Sequence, residues 1–136
     1  MKVNKLKQQG FTIVELLIVI VIIGILATIG FVSFSSAQNK AKKSKATATV
    51  AQVKSKLGEY FADNNYYPST KAEVTTYLTA NGGASTAAEY GDAAYTYAGT
   101  PSTCTVAAKD CTGYTLTASK TYWNGSSTDS DLSVTP

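Results

Sequence analysis

A run of nineteen uncharged and mostly apolar residues, from Leu16 to Phe34, constrains the fold of this chain more than any other feature. As a helix, the run is long enough to cross the roughly 30 Å hydrocarbon core of a bilayer, so we expect a membrane segment. The apolar stretch begins at Phe11, and one acid, Glu15, lies four residues inside it. A central charge disfavours insertion by about 2.5 kcal/mol or more, so Glu15 needs a partner.

The composition argues against several classes of function. The chain contains no histidine, and no cluster of acid, base and nucleophile is evident, so we predict neither an enzyme nor a required cofactor. It also contains no arginine, and its net charge of +3 is carried by Lys2, Lys5 and Lys7, which leaves the remainder neutral. A neutral surface without arginine argues against specific nucleic-acid binding.

The membrane helix is expected to continue into water, because no proline interrupts the chain between Phe34 and Ala62. At 100° per residue, the apolar residues of this part fall within an arc of about 100°. They are Ala46, Val50, Val53, Leu57, Tyr60 and Phe61. The sequence therefore predicts one helix from about Thr12 to Ala62, roughly 75 Å long, whose second half has one face to bury.

Beyond the helix, the chain changes to short segments typical of a small antiparallel sheet. A short helix is predicted over Lys71 to Thr79. Runs rich in threonine and aromatic residues predict strands at Ala94–Ala98, Tyr114–Ala118 and Thr121–Trp123, and Ser126–Pro136 is expected to be loop or tail. The predicted class is α+β, with the long N-terminal helix covering a small C-terminal antiparallel sheet.

Two cysteines, Cys104 and Cys111, lie close together in a polar segment. Two thiolates without histidine cannot complete a tetrahedral zinc shell, so a disulfide closing a short loop is favoured. A disulfide would place this part of the chain in an oxidising compartment, and the alternative is a pair of free thiols in a reducing cytosol.

The segment Lys7 to Leu17, K-Q-Q-G-F-T-I-V-E-L-L, resembles the class III signal of type IV pilins and of the pseudopilins of type II secretion. The resemblance implies the pilin fold. It also implies that a prepilin peptidase cuts between Gly10 and Phe11 on the cytoplasmic side and methylates the new amine of Phe11. Glu15, at the fifth mature position, would then pair with the Phe11 amine of a neighbouring subunit and set the axial register of a filament.

This resemblance, together with the patterns above, divides the chain into four parts. Residues 1–10 are a cleaved basic leader, and residues 11–35 are a transmembrane and filament-core helix. Residues 36–62 are an amphipathic helix, and residues 63–136 supply a loop and a sheet that form the globular head with residues 36–62. The expected location is the inner membrane, crossed once, with the head outside the cytoplasm until the subunit enters an extracellular or periplasmic filament.

The function implied is that of a structural subunit, polymerised into a pilus or pseudopilus for secretion, adhesion, motility or DNA uptake. The implied partners are copies of itself in a helical homopolymer, other pilin-like minor subunits, the prepilin peptidase, a membrane assembly platform and, before assembly, membrane lipid.

Two alternatives lead to different functions. A secretory signal cut after Ser35-Ser36-Ala37 would explain the small residues there, but it leaves Glu15 unexplained. A membrane-anchored adhesive or ligand-binding domain that does not polymerise would instead use a face of aromatic side chains. Those side chains are Tyr95, Tyr97, Tyr114, Tyr122 and Trp123, for which packing on the two faces of a small sheet is the simpler interpretation.

The end of the chain is similar to the Asp-x-Asp loop with which major pseudopilins of type II secretion bind calcium. Asp129 and Asp131 would supply the carboxylates, since calcium prefers hard oxygen ligands. The alternative is a solvated tail rich in serine and aspartate.

Overall fold

The computed structural model describes residues 10–125 and 129–136. These residues form a long helix, two short helices, a three-stranded sheet and one turn of 3₁₀ helix. In chain order these are α1 (Ile13–Asn64), α2 (Lys71–Ala80), α3 (Ala84–Tyr90), β1 (Tyr95–Thr100), β2 (Gly113–Ala118), the 3₁₀ turn (Lys120–Trp123) and β3 (Leu132–Val134). The expected α+β class, with a long N-terminal helix and a small C-terminal antiparallel sheet, is confirmed.

The chain divides into two compact units, Met1–Ala37 and Gln38–Pro136. We call the described residues of the first the N-terminal unit and the second the head. The N-terminal unit contains the first part of α1. All of its described large apolar side chains are exposed, from 88% at Phe11 to 50% at Ile22. By length and composition, α1 could cross a membrane. An 18-residue window of this helix has a mean hydropathy of 3.0, and none of that window is buried.

The part of α1 in the head buries one stripe, as the helical period predicts. Ala46, Val50, Val53 and Leu57 are each at most 4% exposed, whereas Phe61 at the end of the stripe is 37% exposed. Because the stripe recurs every three to four residues, it presents a continuous apolar edge. The other members of the core cluster are Val74, Leu78, Ala87, Tyr90, Tyr95, Tyr114, Leu116, Ala118 and Trp123.

The sheet has the order β1-β2-β3, and both pairs are antiparallel. In its register, Tyr95 pairs with Ala118, and Leu116 pairs with both Tyr97 and Val134. Tyr114, Leu116 and Ala118 alternate along one buried face of β2. Strands β1 and β2 were expected, but β3 comes from the segment expected to be loop or tail.

The predicted strand at Thr121–Trp123 is wrong, because these residues belong to the 3₁₀ turn. Ser119 caps this turn, with its hydroxyl accepting a hydrogen bond from the Thr121 amide. The turn ends at Asn124, whose backbone is left-handed at φ 50°. The turn accompanies burial of Trp123, only 2% of which is exposed, so local capping and burial outweigh the β-propensity of threonine and aromatic residues.

Helix α2 begins at a capping box, in which a threonine and a glutamate three residues later satisfy each other's backbone amides. Thr70 accepts from the Glu73 amide, and the Glu73 carboxylate accepts from the Thr70 amide at 3.0 Å. The same carboxylate also accepts from the amide and the hydroxyl of Ser69, at 2.8 and 2.9 Å. Helix α3 was not expected, and it adds Ala87 and Tyr90 to the core.

Candidate functional site

A second capping box begins α1, beside the residues predicted from the sequence to serve processing and assembly. The Thr12 hydroxyl accepts from the Glu15 amide at 3.2 Å. Glu15 Oε2 in turn accepts from the Thr12 amide at 2.9 Å and from the Thr12 hydroxyl at 2.8 Å. The Thr12 carbonyl accepts from the Leu16 amide at 3.2 Å, so the helical hydrogen bonds begin at this residue.

Glu15 is therefore not without a partner within its own chain. Its carboxylate lies in the first turn of α1, where the helix dipole favours negative charge, and it satisfies an amide that the helix leaves unpaired. The sequence signal for this box, a threonine followed three residues later by a glutamate, is present at Thr12 but is masked by the apolar residues around it. Glu15 is exposed. Among the described residues, its carboxylate accepts hydrogen bonds only from Thr12, and both go to the same oxygen, Oε2.

Gly10 and Phe11 lie just outside the helix, in a segment without regular structure. Both are exposed, and a Cβ built on Gly10 would meet nothing within 4 Å. The peptide bond between them is thus accessible and lies immediately before the capped first turn. Cleavage there would leave the Thr12–Glu15 box intact.

The one hydroxyl in the centre of the apolar run is satisfied by the helix itself. Thr28 donates to the Ile25 carbonyl at 2.7 Å and lies 3.2 Å from the Gly24 carbonyl. Two glycines of the run, Gly24 and Gly30, have open space where a Cβ would be. At each of these glycines another backbone could approach closely, as at the small residues of membrane helix pairs.

Cys104 and Cys111 form the disulfide that the sequence analysis favours, with their Cα atoms 5.0 Å apart. Both are buried, at 7% and 0% exposure. The Cys111 carbonyl accepts from the Tyr67 amide at 2.9 Å, which attaches the loop to the segment after α1. The Asp110 carboxylate lies within 4.8 Å of the two sulfur atoms, but sulfur atoms bonded to each other are not thiolate ligands.

The two aspartates proposed from the sequence for calcium each contact a lysine. Asp129 Oδ1 forms a salt bridge with the Lys43 ammonium at 2.7 Å. Asp131 Oδ1 accepts from the backbone amide of Lys120 at 2.8 Å. Ser126–Thr128, which belong to the proposed loop, lie outside the described residues. Calcium binding stays a prediction.

Glu89 is a polar centre of the head that the sequence does not indicate. Its carboxylate accepts from the Tyr122 hydroxyl and pairs with the Lys45 ammonium, and the Tyr95 hydroxyl lies at 3.3 Å. Burial acts to raise the pKa of Glu89, but the hydrogen bonds from Lys45 and Tyr122 outweigh it and lower the pKa. The hydrogen bond between Tyr122 and Glu89 raises the pKa of Tyr122 to about 12. Glu89 thus joins α1, α3, β1 and the 3₁₀ turn.

The aromatic residues considered for a binding face are mostly interior. Tyr95, Tyr114 and Trp123 are each at most 2% exposed, and Tyr97 and Tyr122 are partly buried against the core. Tyr97 donates its hydroxyl to the Pro68 carbonyl at 2.8 Å. These side chains serve the packing of the head.

Comparison with known proteins gives two family matches. Residues 5–31 match the prokaryotic N-terminal methylation motif, and residues 33–103 match type II secretion system (T2SS), protein G. Searches of curated proteins and of solved structures each gave no significant match. The protein G match covers just over half of the chain and adjoins the methylation motif. The chain therefore belongs to the type II secretion system protein G family of pseudopilins, within the type IV pilin family of pilus-type structural subunits.

Proposed function

We propose that the chain is cleaved between Gly10 and Phe11, held in the membrane by residues 11–35, and polymerised into a pilus or pseudopilus. The observation that supports this most strongly is the N-terminal unit itself, whose described large apolar side chains are all at least half exposed. Such a surface is stable only in lipid or against other apolar surfaces, at about 25 cal/mol per Å² removed from water. A membrane before assembly and a bundle of the same helices afterwards each supply that environment.

Glu15 is the residue that distinguishes these two environments. In the single subunit, its carboxylate is bonded to the amide and hydroxyl of Thr12. In the filament, we propose that it also accepts from the Phe11 amine of a neighbouring copy, which exists only after cleavage. Because an unpaired buried charge is costly, this pair would penalise every other axial offset of the two helices.

Cleavage before the apolar run, rather than after it, is central to the proposal. It removes the basic leader, creates the amine of Phe11, and leaves the apolar part of α1 attached to the head. Methylation of that amine by the peptidase would retain its positive charge. The buried disulfide supports placing the head outside the cytoplasm, where disulfides persist.

The proposed partners are further copies of the chain, other pilin-like subunits, a prepilin peptidase and a membrane assembly platform. The burial of Tyr95, Tyr114 and Trp123 leaves little aromatic surface for the alternative, a binding domain that does not polymerise.

The direct test is the N-terminus of the chain recovered from cells that contain a prepilin peptidase. Intact-mass measurement and N-terminal sequencing should find a methylated Phe11 in both the membrane and the filament fractions. A chain starting at Gln38 would overturn the proposal, because that is the product of the secretory-signal alternative.

Two variants sharpen this test. Gly10→Leu changes the residue before the proposed cut and should leave the full-length precursor in the membrane. Ala37→Leu changes the residue before the alternative cut and should leave processing unchanged. Unaltered processing of Gly10→Leu together with loss of processing in Ala37→Leu would reverse the assignment.

A further inference from the structure

The last eight residues of the chain are attached to the head by three lysines. Lys43 of α1 pairs with the Asp129 carboxylate at 2.7 Å. Lys120 of the 3₁₀ turn donates its ammonium to the Asp129 backbone carbonyl at 3.0 Å. Lys54 of α1 donates to the Thr135 carbonyl at 2.9 Å. We call Lys43, Lys54 and Lys120 the lysine clasp.

The oxygen atoms held by the lysine clasp are of the types that calcium would take, namely a carboxylate and backbone carbonyls. Calcium needs six to eight such oxygen atoms. Among residues 10–125 and 129–136, Asp129 and Asp131 do not belong to any group of three or more acidic, cysteine or histidine ligands. One carboxylate oxygen of each aspartate already accepts a hydrogen bond from a lysine, from its ammonium at Asp129 and from its backbone amide at Asp131. A calcium ion at the described oxygen atoms of Asp129 would lie beside the Lys43 and Lys120 ammonium groups, whose like charge disfavours it.

Lys43 is held in place from a second direction. Its ammonium lies 5.9 Å from the centre of the Trp123 ring, within the range of a cation–π interaction. Trp123 is only 2% exposed and belongs to the core cluster, so its position is fixed by packing. The aromatic ring and the Asp129 carboxylate together define a site for one positive charge, which the side chain of Lys43 fills.

Gly125 allows the segment to approach this site closely. A Cβ at Gly125 would lie 2.9 Å from both Lys120 Cβ and Trp123 Nε1, and 3.1 Å from Asp129 Cβ. A side chain at this position would separate Asp129 from the 3₁₀ turn. The close contact brings the Asp129 carbonyl within reach of the Lys120 ammonium, so Lys120 bonds the segment through both its side chain and its backbone amide.

We propose that the lysine clasp takes the place of a calcium ion in fastening the C-terminal segment, 129–136, to the head. Two ammonium groups at Asp129 supply the positive charge that a divalent cation would otherwise bring, and Lys54 holds the far end of the segment. Strand β3 lies between these attachments and pairs with β2. The stability of the head therefore depends on these lysines and is independent of divalent cations.

The first test uses the wild-type full chain in detergent micelles and measures its thermal unfolding in chelator, in calcium and in magnesium at matched ionic strength. The midpoint should be the same in all three solutions. A midpoint that falls in chelator and recovers with calcium, but not with magnesium, would overturn the proposal.

The second test replaces Lys43 by glutamine, which is similar in length and has no charge. The unfolding midpoint should fall by about 2–6 °C, because a partly exposed pair contributes up to about 1 kcal/mol and the head is a small domain. Lys42→Gln removes the same charge from an exposed neighbour and should leave the midpoint unchanged. An equal fall of the unfolding midpoint in Lys43→Gln and Lys42→Gln would overturn the proposal.

A double-mutant cycle then tests whether Lys43 acts through Asp129. Asp129→Asn should lower the midpoint, and the combination with Lys43→Gln should lower it no further than the larger single effect. Simple addition of the two shifts would show that the residues act separately. Hydrogen exchange gives a local readout, since Lys43→Gln should speed exchange at Leu132 and Val134 but not in β1.

Discussion

Helices α1 and α2 begin with the same four-residue pattern in two contrasting regions of the molecule. Thr12 and Glu15 cap α1 in the N-terminal unit, and Thr70 and Glu73 cap α2 in the head. In the head, the Glu73 carboxylate receives donors from two residues and is partly buried. In the N-terminal unit, the Glu15 carboxylate receives donors from Thr12 alone and is exposed.

Under the proposed function, one local device serves two purposes. Three donors from Ser69 and Thr70 converge on one oxygen of Glu73, which holds this carboxylate at the cap. Each carboxylate uses a single oxygen and so has capacity for further donors, but Glu15 is exposed whereas Glu73 is partly buried. A cap that is incompletely occupied can hold a charge safely in one environment and bind a second group in another.

The largest expected effect is on filament assembly, which should distinguish Glu15 from Glu73. Glu15→Ala should leave membrane insertion intact and abolish incorporation into filaments, because the register-setting charge is gone. Glu73→Ala should weaken the head but still permit filaments. The measurement is the amount of chain in sheared filaments relative to the membrane fraction. Normal filaments from Glu15→Ala would remove the register argument.

The second prediction compares two leucines of α1, one in each unit. Leu57→Ala should destabilise the head by about 2–5 kcal/mol, because Leu57 is 1% exposed and its loss leaves a cavity. Leu17→Ala should leave the unfolding midpoint of the head unchanged, because Leu17 is 55% exposed. Thermal unfolding of the full chain in detergent checks both, and a similar loss in the two variants would contradict the contrast in packing.

The third prediction concerns the two cap threonines. Thr70→Ala should cost the head about 1 kcal/mol, the usual effect of removing a cap side chain. Thr12→Ala should not change the stability of the head, and it should instead increase hydrogen exchange in the first turn of α1. Thr12→Ser, which keeps the hydroxyl, should restore protection. A loss of head stability in Thr12→Ala would show that the boxes are not independent.

The smallest expected effect is on how the stability of the head changes at acidic pH. Burial acts to raise the pKa of Glu73, but the hydrogen bonds from Ser69 and Thr70 outweigh it and lower the pKa. The ionised Glu73 carboxylate therefore stabilises the head above the unfolded pKa of about 4.3, and this stabilisation is lost as the pH falls through the lower folded pKa.

Glu73→Gln should accordingly flatten part of the loss of stability below about pH 5. Urea unfolding at a series of pH values measures this slope. Glu59→Gln, on an exposed surface pair with Lys56, is the control and should leave the slope closer to that of the wild type. An unchanged slope in Glu73→Gln would show that the ionised Glu73 does not stabilise the cap.

Much of this fold can be predicted because its signals are periodic or local. The apolar run and the stripe from Ala46 to Leu57 specify α1, and the predicted range, Thr12 to Ala62, differs from the observed Ile13–Asn64 by one or two residues at each end. The alternation in β2 is equally clear. These patterns depend only on which face of a single element is buried.

The remaining features depend on partners that the local sequence does not reveal. Strand β3 has only three residues, and its pairing of Val134 with Leu116 is determined by the sheet. Trp123 has the high β-propensity of a strand residue, but it lies in a 3₁₀ turn capped by Ser119 and is buried there. The clasp joins Lys43 to Asp129, 86 residues away, so no spacing rule could indicate it. Thr12 and Glu15 did carry a local signal, which the surrounding apolar residues obscured.

The disulfide loop also suggests where a reporter could be placed on this subunit. Ala107 and Ala108 are exposed, while the loop ends at two buried cysteines with Cα atoms 5.0 Å apart. Close packing of Gly99 against Cys104 Sγ and Ser69 fixes the base of the loop. A short epitope inserted between Ala107 and Ala108 would therefore extend from a closed base and disturb neither the sheet nor the chain start. Antibody labelling of such an insertion would follow individual subunits from membrane to filament.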